Sequence, residues 1–227
     1  MRRILVIFVV AITLAWPSLV MGQEYGYGSS AGGGGKSGFY LAPRFMDSLA
    51  NTGNVGGSGG RASKTYNTFG GALAAGFYLS SLDSGLPLRM EIEYAMRSDI
   101  RASWDSNSGI GIGKFDAVFN VQTLLGNLYW DIETGSPFRP FVGGGLGASF
   151  IYAEYKPADS PSYSSKSTSL AWNVGAGIGY DLNESATLEL AYRFVGFGNA
   201  QASRSGGGTT KNYMTANEFI VGLRLNF

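Results

Sequence analysis

The chain closes on "NEFIVGLRLNF", in which Phe219, Val221, Leu223, Leu225 and Phe227 alternate with Glu218, Ile220, Gly222, Arg224 and Asn226. A period of two puts these sets on opposite faces of a strand. The pattern returns upstream. Leu88, Met90, Ile92, Tyr94 and Met96 alternate with Arg89, Glu91, Glu93, Ala95 and Arg97, and Leu170–Leu182 alternates apolar residues with Ala, Asn, Gly and Asp. Weaker versions run through Ser37–Met46, Thr65–Leu79, Phe115–Trp130, Arg139–Tyr152 and Thr187–Phe197. With a terminal strand at about 213–227 this predicts eight strands, and no segment sustains a helical period.

The connections alternate in length. Those near 80–86, 132–137 and 183–186 are short and carry turn formers such as Asp83-Ser84-Gly85, Gly135-Ser136-Pro137 and Asn183-Glu184. Those near 47–64, 102–113, 153–168 and 198–212 are long, polar and rich in Gly and Ser. An even strand number with short turns at one end and long loops at the other predicts an all-β fold: an eight-stranded antiparallel up-and-down transmembrane β-barrel over 37–227. A soluble periplasmic lipocalin-like ligand-binding barrel would alternate as strictly, with its apolar face inward. Volume argues against it. Eight strands leave an interior that side chains just fill, and the apolar face carries too much Leu, Val, Ile, Phe, Tyr and Trp for that space. The opposite face, as in Gly143, Gly145, Gly147 and Ser149 of "RPFVGGGLGASF", is small and leaves room for charges. The apolar face is therefore expected to meet lipid. Aromatic rings are expected at its rims, Tyr78, Phe138, Phe141, Tyr180 and Phe227 at the short-turn end and Tyr66, Trp104, Tyr152 and Trp172 at the other.

The first 22 residues change the picture of location. Arg2 and Arg3 precede the 13-residue run Ile4–Trp16, and Val20-Met21-Gly22 offers a cleavage site. That is a secretory signal peptide, too short to span a bilayer. Residues 23–36 read as a Gly-rich periplasmic linker. Within it "SAGGGGKS", Ser30–Ser37, imitates a phosphate-binding loop, but a strand follows it where the chemistry needs a helix.

Composition narrows the chemistry. Thirty-five glycines among 227 residues are about twice the usual share of ~7%. Seventeen basic against 16 acidic residues give no electrostatic case for nucleic acid. With no Cys there is no disulfide or thiolate metal site. With no His the common general base is missing, and no Ser or Asp shows another partner, so a non-enzymatic protein without cofactor or metal is expected.

The stretches "PFVGGGLGASF" (137–150), "NVGAGIGYDLNESATLELAYRF" (173–194) and "FIVGLRLNF" resemble the outer-membrane β-barrel domain family, the OmpA-like and opacity-type eight-stranded surface proteins, over about 36–227. The resemblance implies a Gram-negative cell outer membrane location, contact with outer-membrane lipid, and the assembly machinery as a partner. Phe227 with Leu225, Leu223 and Val221 matches the family's terminal assembly signal. No peptidoglycan-binding domain follows Phe227 in this sequence, so cell-wall tethering is not expected.

The inward face then carries Arg44, Arg89, Arg97, Arg193 and Arg224 with Glu91, Glu93, Asp181, Glu189 and Glu218. Five bases against five acids read as a self-neutralising lumen network, because charges shut from water must be paired. The expected function is a filled barrel serving membrane integrity and display of four surface loops, with an extracellular ligand or host surface as partner. A narrow porin-like channel is the alternative. The terminal pattern carries its own test. Deleting Phe227 is expected to slow assembly in cells far more than it destabilises the refolded barrel in detergent, measured by membrane yield against urea unfolding. Equal losses would make Phe227 a packing residue only.

Overall fold

A computed structural model describes residues 38–52, 65–82, 86–104, 115–157, 162–203 and 209–227. The signal peptide, the linker and its phosphate-loop look-alike, and the tips of the four long connections lie outside the described residues. Nine strand segments are present: β1 (Phe39–Asn51), β2 (Thr65–Tyr78), β3 (Leu88–Arg97), β4 (Ile100–Trp104), β5 (Phe115–Asp131), β6 (Phe138–Pro157), β7 (Tyr163–Asn183), β8 (Ala186–Ser203) and β9 (Thr209–Asn226). Both β3 and β4 pair with β5, so they are one stave, interrupted at Ser98-Asp99. The staves therefore number eight, all antiparallel. β1 pairs with β9 and β3 with β5, which closes the sheet on itself. At the closure the Phe227 amide donates to the Phe39 carbonyl at 3.0 Å.

Exposure follows the alternation. Along β3, Met90, Ile92 and Tyr94 are exposed while Arg89, Glu91, Glu93, Ala95 and Arg97 are buried. Along β9, Phe219, Val221 and Phe227 face out and Glu218, Ile220 and Arg224 face in. On β7 the outward apolar band runs from Leu170 to Leu182, 13 residues. At ~3.3 Å per residue and a tilt of ~40° that is roughly 30 Å of height, the scale of a bilayer's hydrocarbon core.

The strands outrun that band. β6 has 20 residues and β7 has 21, where 9–11 cross a membrane. Much of what the sequence marks as long polar loop is strand: β1 continues to Asn51, β6 to Pro157, β7 begins at Tyr163, β8 reaches Ser203 and β9 begins at Thr209. Ser and Thr alternate there without apolar residues, so no periodicity announces the strands. In these extensions the two faces exchange character. Outward positions become polar, as at Ser164, Lys166 and Thr168. The inward ones form an apolar cluster that includes Ala50, Phe119, Val121, Ile151, Val195, Phe197 and Met214.

Three aromatic residues expected at the rims point inward instead. Tyr78 and Phe141 are buried in the lumen, and Tyr66 packs on the apolar cluster. Parity decides it. Tyr66 and Tyr78 are out of phase with exposed Phe69 and Leu73, and Phe141 with exposed Phe138 and Val142. Phe138 and Tyr180 do meet at the outer rim, ring centroids 4.9 Å apart. At the loop end Tyr152 and Trp172 face out, Trp172 Nε1–H donating to Tyr213 OH at 2.7 Å. The side chain of Trp104 lies outside the described residues.

Glycine on the inner face makes the room that the interior needs. A Cβ on Gly76 would collide with the Tyr40 ring, and one on Gly143 with Tyr129. A Cβ on Gly175 would sit 2.6 Å from the Tyr192 carbonyl oxygen, so Gly175→Ala is expected to destabilise although it adds one methyl. The two outward environments of β7 differ more sharply. Val174→Arg, within the apolar band, should cost ~2–4 kcal/mol at the bilayer midplane. Thr168→Arg, on the same face of the same strand but beyond the band, should be neutral. Urea unfolding in lipid vesicles checks both, and a Val174→Arg barrel as stable as wild type would invert the assignment of faces.

Candidate functional site

The chemistry of this chain is concentrated in the terminus-proximal half of the lumen. β1, β3, β8 and β9 each turn a polar inner face to the axis, and long Arg and Glu side chains reach across from opposite walls. The contacts form a continuous ladder. Arg97 Nε donates to Glu218 Oε1 at 2.6 Å, and Arg193 Nε donates to Glu218 Oε2 at 2.6 Å. Arg193 Nη1 donates to Glu93 Oε1 at 2.6 Å, whose other oxygen accepts from Arg44 Nη1 at 2.7 Å. Arg44 also binds Glu91 through two hydrogen bonds, at 2.5 and 2.7 Å, and Glu189 at 3.1 Å. Nearer the termini, Arg224 binds Glu189 through Nε and Nη2, and Arg89 Nε donates to Asp131 Oδ1 at 2.9 Å.

Nine of the ten lumen charges expected from the sequence meet in this ladder. Asp181 does not. It sits at the terminus-side mouth, accepting from Arg139 Nε at 2.7 Å and Thr187 Oγ1 at 2.8 Å. Its place in the ladder is taken by Asp131, which the sequence reading leaves in the turn after Trp130. The ladder thus still holds five guanidiniums against five carboxylates: Glu91, Glu93, Asp131, Glu189 and Glu218. Inward parity, Asn127-Tyr129-Asp131, is the signal that could have found it. For Arg139 the signal is its phase with Phe141.

Sequence reasoning also missed the aromatic and amide supports. Tyr40 OH donates to Glu91 Oε2 at 3.0 Å and accepts from Arg89 Nη1 at 3.1 Å. The Arg89 guanidinium lies 4.1 Å from the Tyr129 ring centroid and 4.7 Å from that of Phe141. Tyr78 OH accepts from Arg224 Nη1 at 2.7 Å, and Asn173 Nδ2 donates to Asn127 Oδ1 at 2.8 Å. Planar guanidinium is weakly hydrated and stacks on rings, which suits it to such a site better than ammonium; the ladder contains no Lys. A cavity of about 20 Å3 beside Arg44, Tyr129, Asn173, Glu189 and Arg193 is the scale of one water.

The arrangement also bears on Glu91 and Glu93, whose spacing could suggest acid–base chemistry. Both carboxylates are buried and held by guanidinium groups, and the main lumen cavity beside them has room for no more than a water. Among the described residues no cluster of His, Cys, Asp or Glu has metal-binding form.

A closed barrel with a lipid-height apolar exterior and a salt-bridged interior is the architecture of an integral outer-membrane β-barrel. The family model described as outer membrane protein beta-barrel domain matches residues 22–227, and this chain belongs to that family. It is 21% identical over 228 residues to outer membrane protein PagN of Salmonella typhimurium, covering 90% of this chain and 88% of that one. It is 30% identical over 113 residues to a putative adhesin of Rickettsia bellii, covering 46% and 47%. Among solved structures it resembles Neisserial surface protein A, with a TM-score of 0.56 at 18% identity over 83% of this chain and 97% of that one. A major outer membrane protein of Thermus thermophilus gives 0.53 at 17%, over 82% and 99%. The protein is thus an outer-membrane β-barrel of Gram-negative type.

Each ladder carboxylate serves two guanidiniums or a guanidinium and a tyrosine, so removing one member strands others. Arg193→Ala leaves Glu93 and Glu218 each short of a partner and is expected to cost ~3–5 kcal/mol. Urea unfolding in detergent measures it. A loss below ~1 kcal/mol would mean that the ladder is loosely held.

Proposed function

We propose that this chain is a non-enzymatic, lumen-closed barrel whose work is done at the cell surface, holding four loops clear of the membrane as an adhesion or surface-antigen scaffold and adding to the integrity of the membrane. One observation carries the reading: the interior is spanned by a charge-balanced ladder from opposite walls, and the lumen cavity beside it, among the described residues, is no larger than a water. Transport of a solute needs a wetted path, and a filled eight-stranded lumen offers none. What remains for interaction is the outer rim, and there the strands extend well past the apolar band. The named adhesin among its relatives supports the same reading. In this orientation the short turns and both barrel ends lie in the periplasm and the long connections outside. Assembly is by the outer-membrane machinery reading Val221, Leu223, Leu225 and Phe227, whose outward side chains form an apolar stripe along β9. Lipid is the partner of the apolar band, and an extracellular ligand or host surface that of the loops.

The reading has two measurable consequences. A tag inserted after Gly207 should be labelled on intact cells, and one after Gly135 only after permeabilisation. In planar bilayers the refolded wild type should show rare, small currents. Large stable channels would replace this reading with a narrow porin, and reversed labelling would overturn the orientation.

A further inference from the structure

Above the charged ladder the lumen changes character, and one residue sits at the boundary. β8 carries a bulge between Gly196 and Gly198: Gly196 pairs with Thr215 and Gly198 with Met214, leaving Phe197 without a partner in β9. Bulges re-aim side chains, and this one turns a fully buried phenyl ring into the lumen. The ring lies over the guanidinium of Arg97, with Cζ 4.6 Å from the ring centroid, and Arg97 is the first rung of the ladder. On its other side the ring belongs to the apolar cluster with Phe119, Val121, Ile151, Val195 and Met214.

The mounting of this ring is built from three strands. Gly198 has φ +77°, and a Cβ there would meet Ser169 Cβ at 2.7 Å and the Leu170 carbonyl oxygen at 2.8 Å, so the bulge needs glycine on two counts. Ser149 Oγ on β6 donates to the Phe197 carbonyl at 2.5 Å, and Ser169 Oγ on β7 donates to the Asn199 carbonyl at 2.8 Å. These two hydroxyls tie the bulge to its neighbours where the β7–β8 ladder, which starts at Trp172–Gly196, has ended.

We propose that Phe197 is a lid, a bulge-mounted aromatic ring that seals the ion ladder from the side of the long connections. The inference rests on the closed-lumen reading and goes further by assigning the outer seal to one residue. The physical reason is dewetting: a ring of apolar side chains excludes water from a narrow bore even where polar groups lie just beyond it. The phenyl face also gives Arg97 a cation–π cover in place of water. A small polar side chain at 197 would let water reach Arg97 and Glu218.

The chain contains no Cys, so a single thiol can report access. Ser48 is fully buried, and its hydroxyl donates to Glu218 at 3.1 Å. Ser48→Cys therefore places the reporter just beneath the lid. The probe is 2-aminoethyl methanethiosulfonate on the refolded full barrel, with the mass gain followed over time. With Phe197 in place the thiol should label slowly. Phe197→Ser should raise the rate at least tenfold, Phe197→Leu should keep it slow, and Ile151→Ser in the same apolar cluster should also leave it slow. If Phe197→Ser does not reach the folded state, Phe197→Ala takes its place under the same tenfold criterion. Fast labelling with Phe197 present, no increase on its replacement, or an equal increase from Ile151→Ser would each overturn the lid. Wild-type channel currents overturn the closed lumen itself, so the two failures are distinguishable.

Discussion

Everything in this structure depends on the closure of one sheet. Inside a bilayer no water is available to satisfy an amide or carbonyl at a strand edge, and each one left unpaired costs several kcal/mol. β1 meets β9 from Tyr40–Asn226 to Asn51–Thr215, and the last amide of the chain still finds the Phe39 carbonyl. Closure with eight staves then sets the bore, and the bore sets what the interior can contain. Such a lumen is too narrow for bulky apolar side chains from every inward position. It holds long, thin, charged ones beside glycine.

Those charges make the interior specific as much as stable. A buried ion pair often contributes little beyond what well-packed apolar groups would, yet losing one partner is severe. The ladder exploits that asymmetry. Arg44 on β1 ties Glu91 and Glu93 on β3 to Glu189 on β8, and Arg193 on β8 ties Glu93 to Glu218 on β9. A register slip of one residue would turn these groups to lipid and bring Phe219 or Ile92 inside. The network therefore selects one register among the many a regular barrel could adopt.

Beyond the apolar band the solvent changes, and the strands exchange their faces accordingly. With water outside, polar residues turn outward and an apolar core forms within, as in a soluble sandwich. The ladders there divide the strands into β8-β9-β1-β2 and β4-β5-β6-β7. Ala50, Val195, Phe197, Met214 and Ala216 come from one group, and Ile100, Phe119, Val121 and Ile151 from the other. A second core of this kind holds the hairpins upright, which a filled barrel of membrane height alone would not do. It also accounts for apolar residues on the inner face that the charged half excludes.

The period of two, the alternating connection lengths and the excess of glycine were enough to establish from the sequence an eight-staved antiparallel barrel with its apolar face outward. They were enough because a strand's side-chain period is local and the volume of an eight-stranded lumen is a fixed limit. The inward set Arg44, Arg89, Glu91, Glu93, Arg97, Glu189, Arg193, Glu218 and Arg224 was legible for the same reason. Which charge faces which was not. Pairing across the axis depends on stagger and side-chain reach, so Asp131 joins the ladder while Asp181 turns to Arg139 at the mouth. Tertiary structure alone also put Tyr78 and Phe141 inside, because hydroxyl and ring find a guanidinium there that no local pattern reveals. The strand extensions were hidden because serine and threonine alternate without contrast. The bulge at Gly196–Gly198 was hidden because one extra residue has no periodic signature, and its effect on Phe197 exists only once β6, β7 and β9 surround it.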